Sequence, residues 1–400
     1  MVIMSNKLSM SQNSELTQFV NKLHDSEYVK QQIDALKTII ESQTRVPPPS
    51  QGIVGLENVG NSCFFNAILQ CMRHTHQLTD QLMTSHQLQI LSHNLNHGTM
   101  ESKKPMVLLV ILYLRLVDVM WNQNTSKVSP VCLRILLGKI ISQFNNLAQH
   151  DAHEVLINLL QLFHECLSYP VRYEITGTVA SEIDTQIHKA HTDWVSYYQG
   201  KSSVILKIFG GQMRTEIRCL NCHRSTFRFD PMMVLDLPLE TASLEATDPT
   251  TLTRSLDLFT TTEQLSQDNS YLCQECQVKT MAHKQTMLWM LPSVLIIKIN
   301  RFQSHGFSAF QKNQHKIIYP VSGLDMTPYV VSPRAISNGR IYDLFAVTCH
   351  IGHLTNGHYY AICYNPITQT WMSYNDDRCT VATNPVDENT YILFYQRRET

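Results

Sequence analysis

The sequence predicts an α+β fold, and two observations predict it. Apolar residues recur at helical spacing over most of 64 to 168, and short aromatic and β-branched runs with strand-type patterning dominate thereafter. With 400 residues and 43% hydrophobic content, the chain can bury a sizeable core as one extended domain with a short appendage. Residues 1 to 45 are polar but carry Leu16, Phe19, Val20 and Leu23, then Ile33, Leu36 and Ile40, which read as one or two amphipathic helices. They could bind a partner, though packing on the rest of the chain is the favoured reading. Pro47, Pro48, Pro49 and Ser50 break the pattern and mark a linker, so the expected division is 1–50 and 51–400. Ser129-Pro130 is a helix start ahead of Leu133, Leu136, Leu137, Ile140 and Phe144. Asp151 precedes the stripe Val155, Leu156, Leu159, Leu160 and Phe163, as an N-cap with Glu154 three residues on. Residues 241 to 270 are rich in Thr, Ser, Asp and Gln and are expected to form a flexible excursion. No internal repeat is evident.

Charge excludes some partners. The 32 basic and 33 acidic residues nearly cancel, which leaves no basic footprint for a nucleic acid or a bulk membrane surface. The most apolar stretch, Met106 to Leu114, is followed by Arg115 and Asp118, and by length it falls short of a membrane span.

Residues 55 to 70, GLENVGNSCFFNAILQ, set a cysteine between a polar, glycine-punctuated loop and an apolar run. Phe64, Ile68, Cys71 and Met72 share one helical face, so a helix should start near Cys63 with Asn61 or Ser62 as N-cap. Unpaired amides and the positive end of the helix dipole would then favour a thiolate at Cys63, the candidate nucleophile. A buried cysteine also packs as a small hydrophobe, and the local sequence leaves both readings open.

Such a nucleophile needs a base. Residues 357 to 377, GHYYAICYNPITQTWMSYNDD, read as two aromatic-rich strands joined at Asn365-Pro366. Pairing Tyr364 with Trp371 and counting back along the ladder puts His358 opposite Asp377, within two residues of Asn375 and Asp376. In a Cys/His site the imidazole takes the thiol proton and later protonates the leaving amine, while a third group fixes its tautomer. With 18 histidines in the chain, an incidental one on a surface hairpin is the competing reading.

Cys219, Cys222, Cys273 and Cys276 form two Cys-x-x-Cys pairs. Each can ligate zinc from a hairpin tip, although intervening strands must bring the tips together. Redox or disulfide cysteines are the alternative. The odd total of 11 cysteines and the lack of a secretory signal at the start argue for a reducing compartment and favour one structural Zn2+.

Several ordered motifs now bear on one family. GLENVGNSCFFNAILQ, QHDAHEVL at 149–156, RCLNC at 218–222, LDLPL at 235–239, LCQEC at 272–276, LPSVLIIKINRF at 291–302, GHYYAICYN, WMSYNDDRCT and YILFYQR follow one another over about 53 to 395. In order and spacing the chain resembles the ubiquitin-specific proteases, papain-like cysteine deubiquitinases. The resemblance implies a helical thumb, a β-rich palm and zinc-tipped β fingers within about 205–290, with the cleft between thumb and palm. It implies Cys63 as nucleophile, His358 as general base, Asn375 as third triad member with Asp376 beside it, and Asn58 on the oxyanion. The same resemblance implies that Asp151 meets an arginine of ubiquitin's C-terminal tail and that Tyr359 packs on that tail. Burial of Tyr359 in its strand is an equal alternative.

The implied reaction is hydrolysis after ubiquitin's C-terminal glycine through a thioester, with zinc as a structural cofactor only and ubiquitin and its conjugates as partners. The protein is expected to be a monomer, cytoplasmic or nuclear, with no nucleic acid or membrane partner. Ser62, Phe64, Ala67 and His153 depart from the commoner family residues without removing a catalytic group. Alternatives are an inactive ubiquitin-binding scaffold, against which the intact Cys63, His358 and Asn375 argue, and a protease for a ubiquitin-like modifier.

Overall fold

The structure, a computed structural model, describes residues 17–42, 51–97, 103–239, 249–303, 311–333, 339–353 and 356–399. The proline run at 47–49 lies outside them, as does the start of the expected excursion at 241–248. The chain divides into two compact units, one of residues 1–168, 304–312 and 345–393 and the other of 169–303, 313–344 and 394–400.

The helices of the first unit are α1 (Ser26–Ser42), α2 (Cys63–Arg73), α3 (His76–Leu82), α4 (Ser85–His97), α5 (Lys103–Asn122), α6 (Val131–Ile140) and α7 (Ala152–Leu167). Helix α5 is their hub. Its apolar positions run nearly all round, so α1, α4, α6 and α7 all pack against it. At 20 residues it is longer than the Met106–Leu114 run suggested, and by length and composition it could cross a bilayer. Its most apolar window is 72% buried within the protein, the signature of a core helix. The N-terminal segment joins the same core: Phe19, Leu23, Val29, Ile33 and Leu36 are buried, and Lys104 Nζ donates to the His24 carbonyl.

The expected stripe of α7 is buried in full, and every residue of α2 is buried. Helix α2 has no solvent face because α7 and the strand Gly357–Asn365 both pack against it. That strand is central in an antiparallel set ordered Arg378–Val381, Thr370–Asn375, Gly357–Asn365, Ile341–Gly352. Tyr364 does pair with Trp371, but the ladder between these strands ends at Ala361–Tyr374, and Asn375 pairs instead with Arg378 across a two-residue turn. The count that put His358 opposite Asp377 therefore fails over its last three steps. Asp376 takes φ 51°, a left-handed value that short polar residues tolerate, and the chain reverses there.

In the second unit, strands Ser225–Met232, Gly211–Cys219, Ala282–Met290 and Glu263–Leu265 form an antiparallel sheet in that order. Helix α8 (Glu182–Tyr197), opened by a full capping box of Ser181 and Asp184, packs Ala190 against Phe229 and Trp289 of this sheet. Helix α9 (Val204–Phe209) precedes the sheet, and within the described part of the expected excursion α10 (Leu252–Thr260) follows an N-cap at Thr251. Leu252 and Leu256, one turn apart, are buried. The polar composition of this stretch belongs to its solvent side and hides a short apolar stripe.

Candidate active site

The loop before α2 is shaped by Asn58. Its carboxamide oxygen accepts from the Gly60 amide (3.1 Å) and the Ser62 amide (3.2 Å), folding residues 58–62 into a tight reversal with Gly60 at φ 102° and Asn61 at φ 47°. Helix α2 starts at Cys63 as expected, but neither expected cap operates. The Ser62 hydroxyl accepts from the Val59 amide (2.9 Å), and the Asn61 carboxamide donates to the Leu147 carbonyl (2.8 Å). The first-turn amides of α2 thus have no side-chain cap, and Cys63 sits among them at the positive end of the helix, buried to 2% exposure.

His358, on the strand that packs against α2, lies close enough to Cys63 for the sulfur to act on its charge, and its Nε2 lies 2.6 Å from Asn375 Oδ1. With Nε2 committed to an acceptor, Nδ1 is the nitrogen that remains for the sulfur. The neighbouring Cys63 sulfur raises His358 to about 9, against the pull of partial burial, and Asn375 adds to the rise. The imidazolium is therefore the stable form until the pH approaches about 9. Above that value it loses the proton a leaving amine requires, so the rate is expected to fall along an alkaline limb. Removing Asn375 removes a raising contact. Asn375→Ala should lower kcat with little change in KM and move the alkaline limb to lower pH, measured on a fluorogenic ubiquitin substrate. If Asp376→Ala proves far more damaging and Asn375→Ala nearly neutral, the two roles must be exchanged.

Asp376 faces elsewhere. Its Oδ2 accepts from Asn58 Nδ2 (2.9 Å), its Oδ1 from Asn66 Nδ2 (2.8 Å), and its carbonyl from the Leu56 amide (2.8 Å). It acts on His358 only through space, as a minor raising charge. The close fit of this turn explains Gly55, where a Cβ would come within 2.6 Å of the Asp377 backbone. Gly357 is closed in the same way, because a Cβ there would meet His350 Nε2 at 2.0 Å.

Asp151 is the N-cap of α7, accepting from the His153 amide (2.7 Å). The expected reciprocal capping by Glu154 does not form, since Glu154 accepts instead from Gln143. Both Asp151 oxygens accept from the Tyr391 hydroxyl, at 2.9 and 2.7 Å. Tyr359 is 5% exposed and stacks on His350 with centroids 4.4 Å apart, so in this structure it is a packed strand residue.

Sequence reading missed three residues here. Gln149 clamps the catalytic strand, donating to the Gly357 carbonyl (2.8 Å) and accepting from the Gly357 amide (2.9 Å). Tyr391 orders Asp151, and Asn66 holds Asp376. A signal for Asn66 was available: it is polar within the apolar run CFFNAIL and, three residues after Cys63, shares its helical face.

In the second unit the four cysteines do converge. Their sulfurs lie within 4.8 Å of one another, with Cys219 and Cys276 at 4.0 Å and Cys222 and Cys273 at 3.7 Å. Tetrahedral Zn–S bonds of about 2.3 Å require sulfurs roughly 3.8 Å apart, so the group fits a metal of that kind. A hydrogen bond with the Thr280 hydroxyl holds the Cys219 thiol down to about 6. Cys222 goes the other way, to about 12: burial and the neighbouring sulfurs outweigh the Arg224 amide that favours its thiolate. Such competition for protons among clustered thiols is what a dication relieves.

Comparison with known proteins bears on the whole of this arrangement. The family described as ubiquitin carboxyl-terminal hydrolase matches residues 54–395. The chain belongs to that family. It is 29% identical over 371 residues to ubiquitin carboxyl-terminal hydrolase Usp2 of Drosophila melanogaster, covering 91% of this chain and 36% of the relative. To ubiquitin carboxyl-terminal hydrolase 2 of Homo sapiens it is 27% identical over 355 residues, covering 87% of this chain and 55% of the relative. The chain thus spans between about a third and a half of the length of these hydrolases. Among solved structures, the SAGA DUB module of Ubp8, Sgf11, Sus1 and Sgf73 bound to monoubiquitin matches with a TM-score of 0.67 at 24% identity, over 90% of this chain and 72% of that one. The same module bound to ubiquitin aldehyde matches at 0.66 and 25% identity, with the same coverage. The match to the solved module is a match of this mixed helix and sheet architecture.

Proposed function

We propose that this chain is a cysteine deubiquitinase that hydrolyses the isopeptide or peptide bond after the C-terminal glycine of ubiquitin. The observation that carries the reading is the ordered contact of Cys63, His358 and Asn375 in a member of the hydrolase family. Relatives named for this activity, and a similar fold solved with ubiquitin aldehyde, support the choice of substrate.

The steps follow from the geometry. The Cys63 thiolate attacks the glycine carbonyl carbon, a C–S bond forms, and the carbonyl electron pair moves to oxygen. That oxyanion is met by the second N–H of the Asn58 carboxamide, whose first is held by Asp376, and by the Cys63 amide. On collapse the C–N bond breaks, and His358 gives its proton to the departing amine. Water then attacks the thioester, His358 takes the water proton, and the thiolate leaves with ubiquitin's carboxylate released. Asn375 holds the imidazole in the tautomer both transfers need. We assign Asp151 to an arginine of the ubiquitin tail, with Tyr391 fixing its carboxylate.

The four-cysteine group is assigned to one structural Zn2+. Four thiolates would leave no open position for a substrate, and the metal's part would be to hold the finger tips. None of the eleven cysteines is in a disulfide, which supports an intracellular, reducing location in the cytoplasm or nucleus, and the protein is assigned as a monomer.

Ubiquitin bearing a C-terminal electrophile tests this reading directly. One covalent adduct, mapped to Cys63, is the expected outcome. Adduct formation at another cysteine defeats the assignment of the nucleophile, and preferential reaction with the matching probe of a ubiquitin-like modifier reassigns the acyl donor.

A further inference from the structure

We propose that Asn66 is a positioning residue for the oxyanion arm, aiming Asn58 through the carboxylate of Asp376. The inference rests on the proposed hydrolase activity and adds a residue to it. Asn66 stands in the first turn of α2, three residues after the nucleophile, and is 2% exposed. Its Nδ2 faces three acceptors: Asp376 Oδ1 at 2.8 Å, the Glu57 carbonyl at 3.2 Å and the Leu56 carbonyl at 3.3 Å. Its Oδ1 has no hydrogen-bond partner among the described residues. Turning the amide over would set an oxygen against three oxygens, so the donor end is fixed by its surroundings.

Asp376 is then bracketed by two carboxamides, with Oδ1 on Asn66 and Oδ2 on Asn58. The two differ in what holds them. Asn58 is exposed on a loop, and its oxygen is tied down by the Gly60 and Ser62 amides. Asn66 is rooted in the buried helix that carries the sulfur. Asp376 itself sits at a turn, partly exposed, and its charge is attracted to the His358 imidazolium. An unpinned carboxylate there has a competing orientation toward His358, and taking it would release the Asn58 Nδ2. The Asn66 bond removes that choice. It sets the plane of the Asn58 carboxamide relative to Cys63 before any oxyanion forms, and preorganisation of that kind is what makes such donors effective.

The reading separates from simple packing by its kinetic pattern. Loss of an oxyanion donor costs about 10²–10³ in kcat, so loss of the residue that aims one is expected to cost roughly 10- to 100-fold in kcat, with KM within about threefold. Asn66→Ala is compared with Asn58→Ala and with the double variant, on a fluorogenic ubiquitin substrate and by affinity for ubiquitin aldehyde, whose hemithioacetal carries the oxyanion. If Asn66 acts through Asn58, adding Asn66→Ala to Asn58→Ala lowers kcat by no more than about twofold, and aldehyde affinity falls while product ubiquitin binds as before. Asn66→Ser, which keeps a small donor, should fall between parent and alanine and serves where the alanine variant folds poorly.

Equal losses in both backgrounds, or a loss carried by KM, would overturn the proposal. A readout independent of turnover is the Asn58 side-chain amide signal in NMR, assigned by its loss in Asn58→Ala. It should shift in Asn66→Ala, and an unmoved signal also overturns the proposal. A parent chain with no hydrolysis but a shifted Asn58 signal would instead sink the functional reading and leave the positioning intact.

Discussion

Cys63→Ala is expected to abolish turnover, by at least about 10⁴-fold, while leaving the affinity for ubiquitin within about threefold. The chemistry has no substitute for the sulfur. Elsewhere in the first unit, burial pushes up the thiols of Cys132, Cys166, Cys363 and Cys379. The fold should hardly notice the change. The substitution removes one atom from a buried first-turn position and puts in the strongest helix former. Steady-state kinetics, ubiquitin binding by calorimetry and a thermal melt settle the point together. Residual hydrolysis above about 1% of the parent rate would show that Cys63 is not the nucleophile.

Cys273→Ser is expected to have the second largest effect, and on stability more than on chemistry. Cys273 lies between the strands Tyr271–Leu272 and Lys279–Thr280, each two residues long, and a hairpin that short does not hold itself together. The bound metal would supply the stability that the strands lack. Zinc-finger peptides gain about 10–16 kcal/mol from the ion, so loss of one ligand should cost the finger region several kcal/mol. Elemental analysis should read one zinc per parent chain and much less in the variant, and the variant should melt at a lower temperature. Hydrolysis of a short peptide thioester, which does not need the fingers, should change less than hydrolysis of ubiquitin conjugates. A parent protein without zinc, or four cysteines that all react readily with a thiol reagent in the native state, would refute the site.

What could be read in the sequence was local or repetitive. The helix at Cys63, the stripe of α7 and the Tyr364–Trp371 register follow from periodicity, and periodicity survives without tertiary knowledge. Pairing of His358 with Asn375 was within reach because both lie on adjacent strands. The destination of the Asp376 side chain was not. It depends on a turn with positive φ and on a helix far earlier in the chain, and neither leaves a local trace. The same holds for Gln149 against Gly357 and Asp151 against Tyr391, contacts made only when helix and sheet are assembled. Capping was misread for a related reason: Ser62 and Glu154 had other partners available in the folded chain, and those bonds competed with the caps.

Cys63 and His358 are about 300 residues apart, and the strand that carries Tyr391 comes later still. A ribosome moving at about 5–20 residues per second needs roughly 15–60 s to cover that interval. Throughout it the thiol exists without its base, its oxyanion carboxylate or the strand against which its helix packs. A half-made chain thus cannot carry out the proposed chemistry, because the groups that act on the thiol have not yet been made. The same order fixes what a premature stop does: a product ending before His358 keeps its nucleophile and has no means of using it.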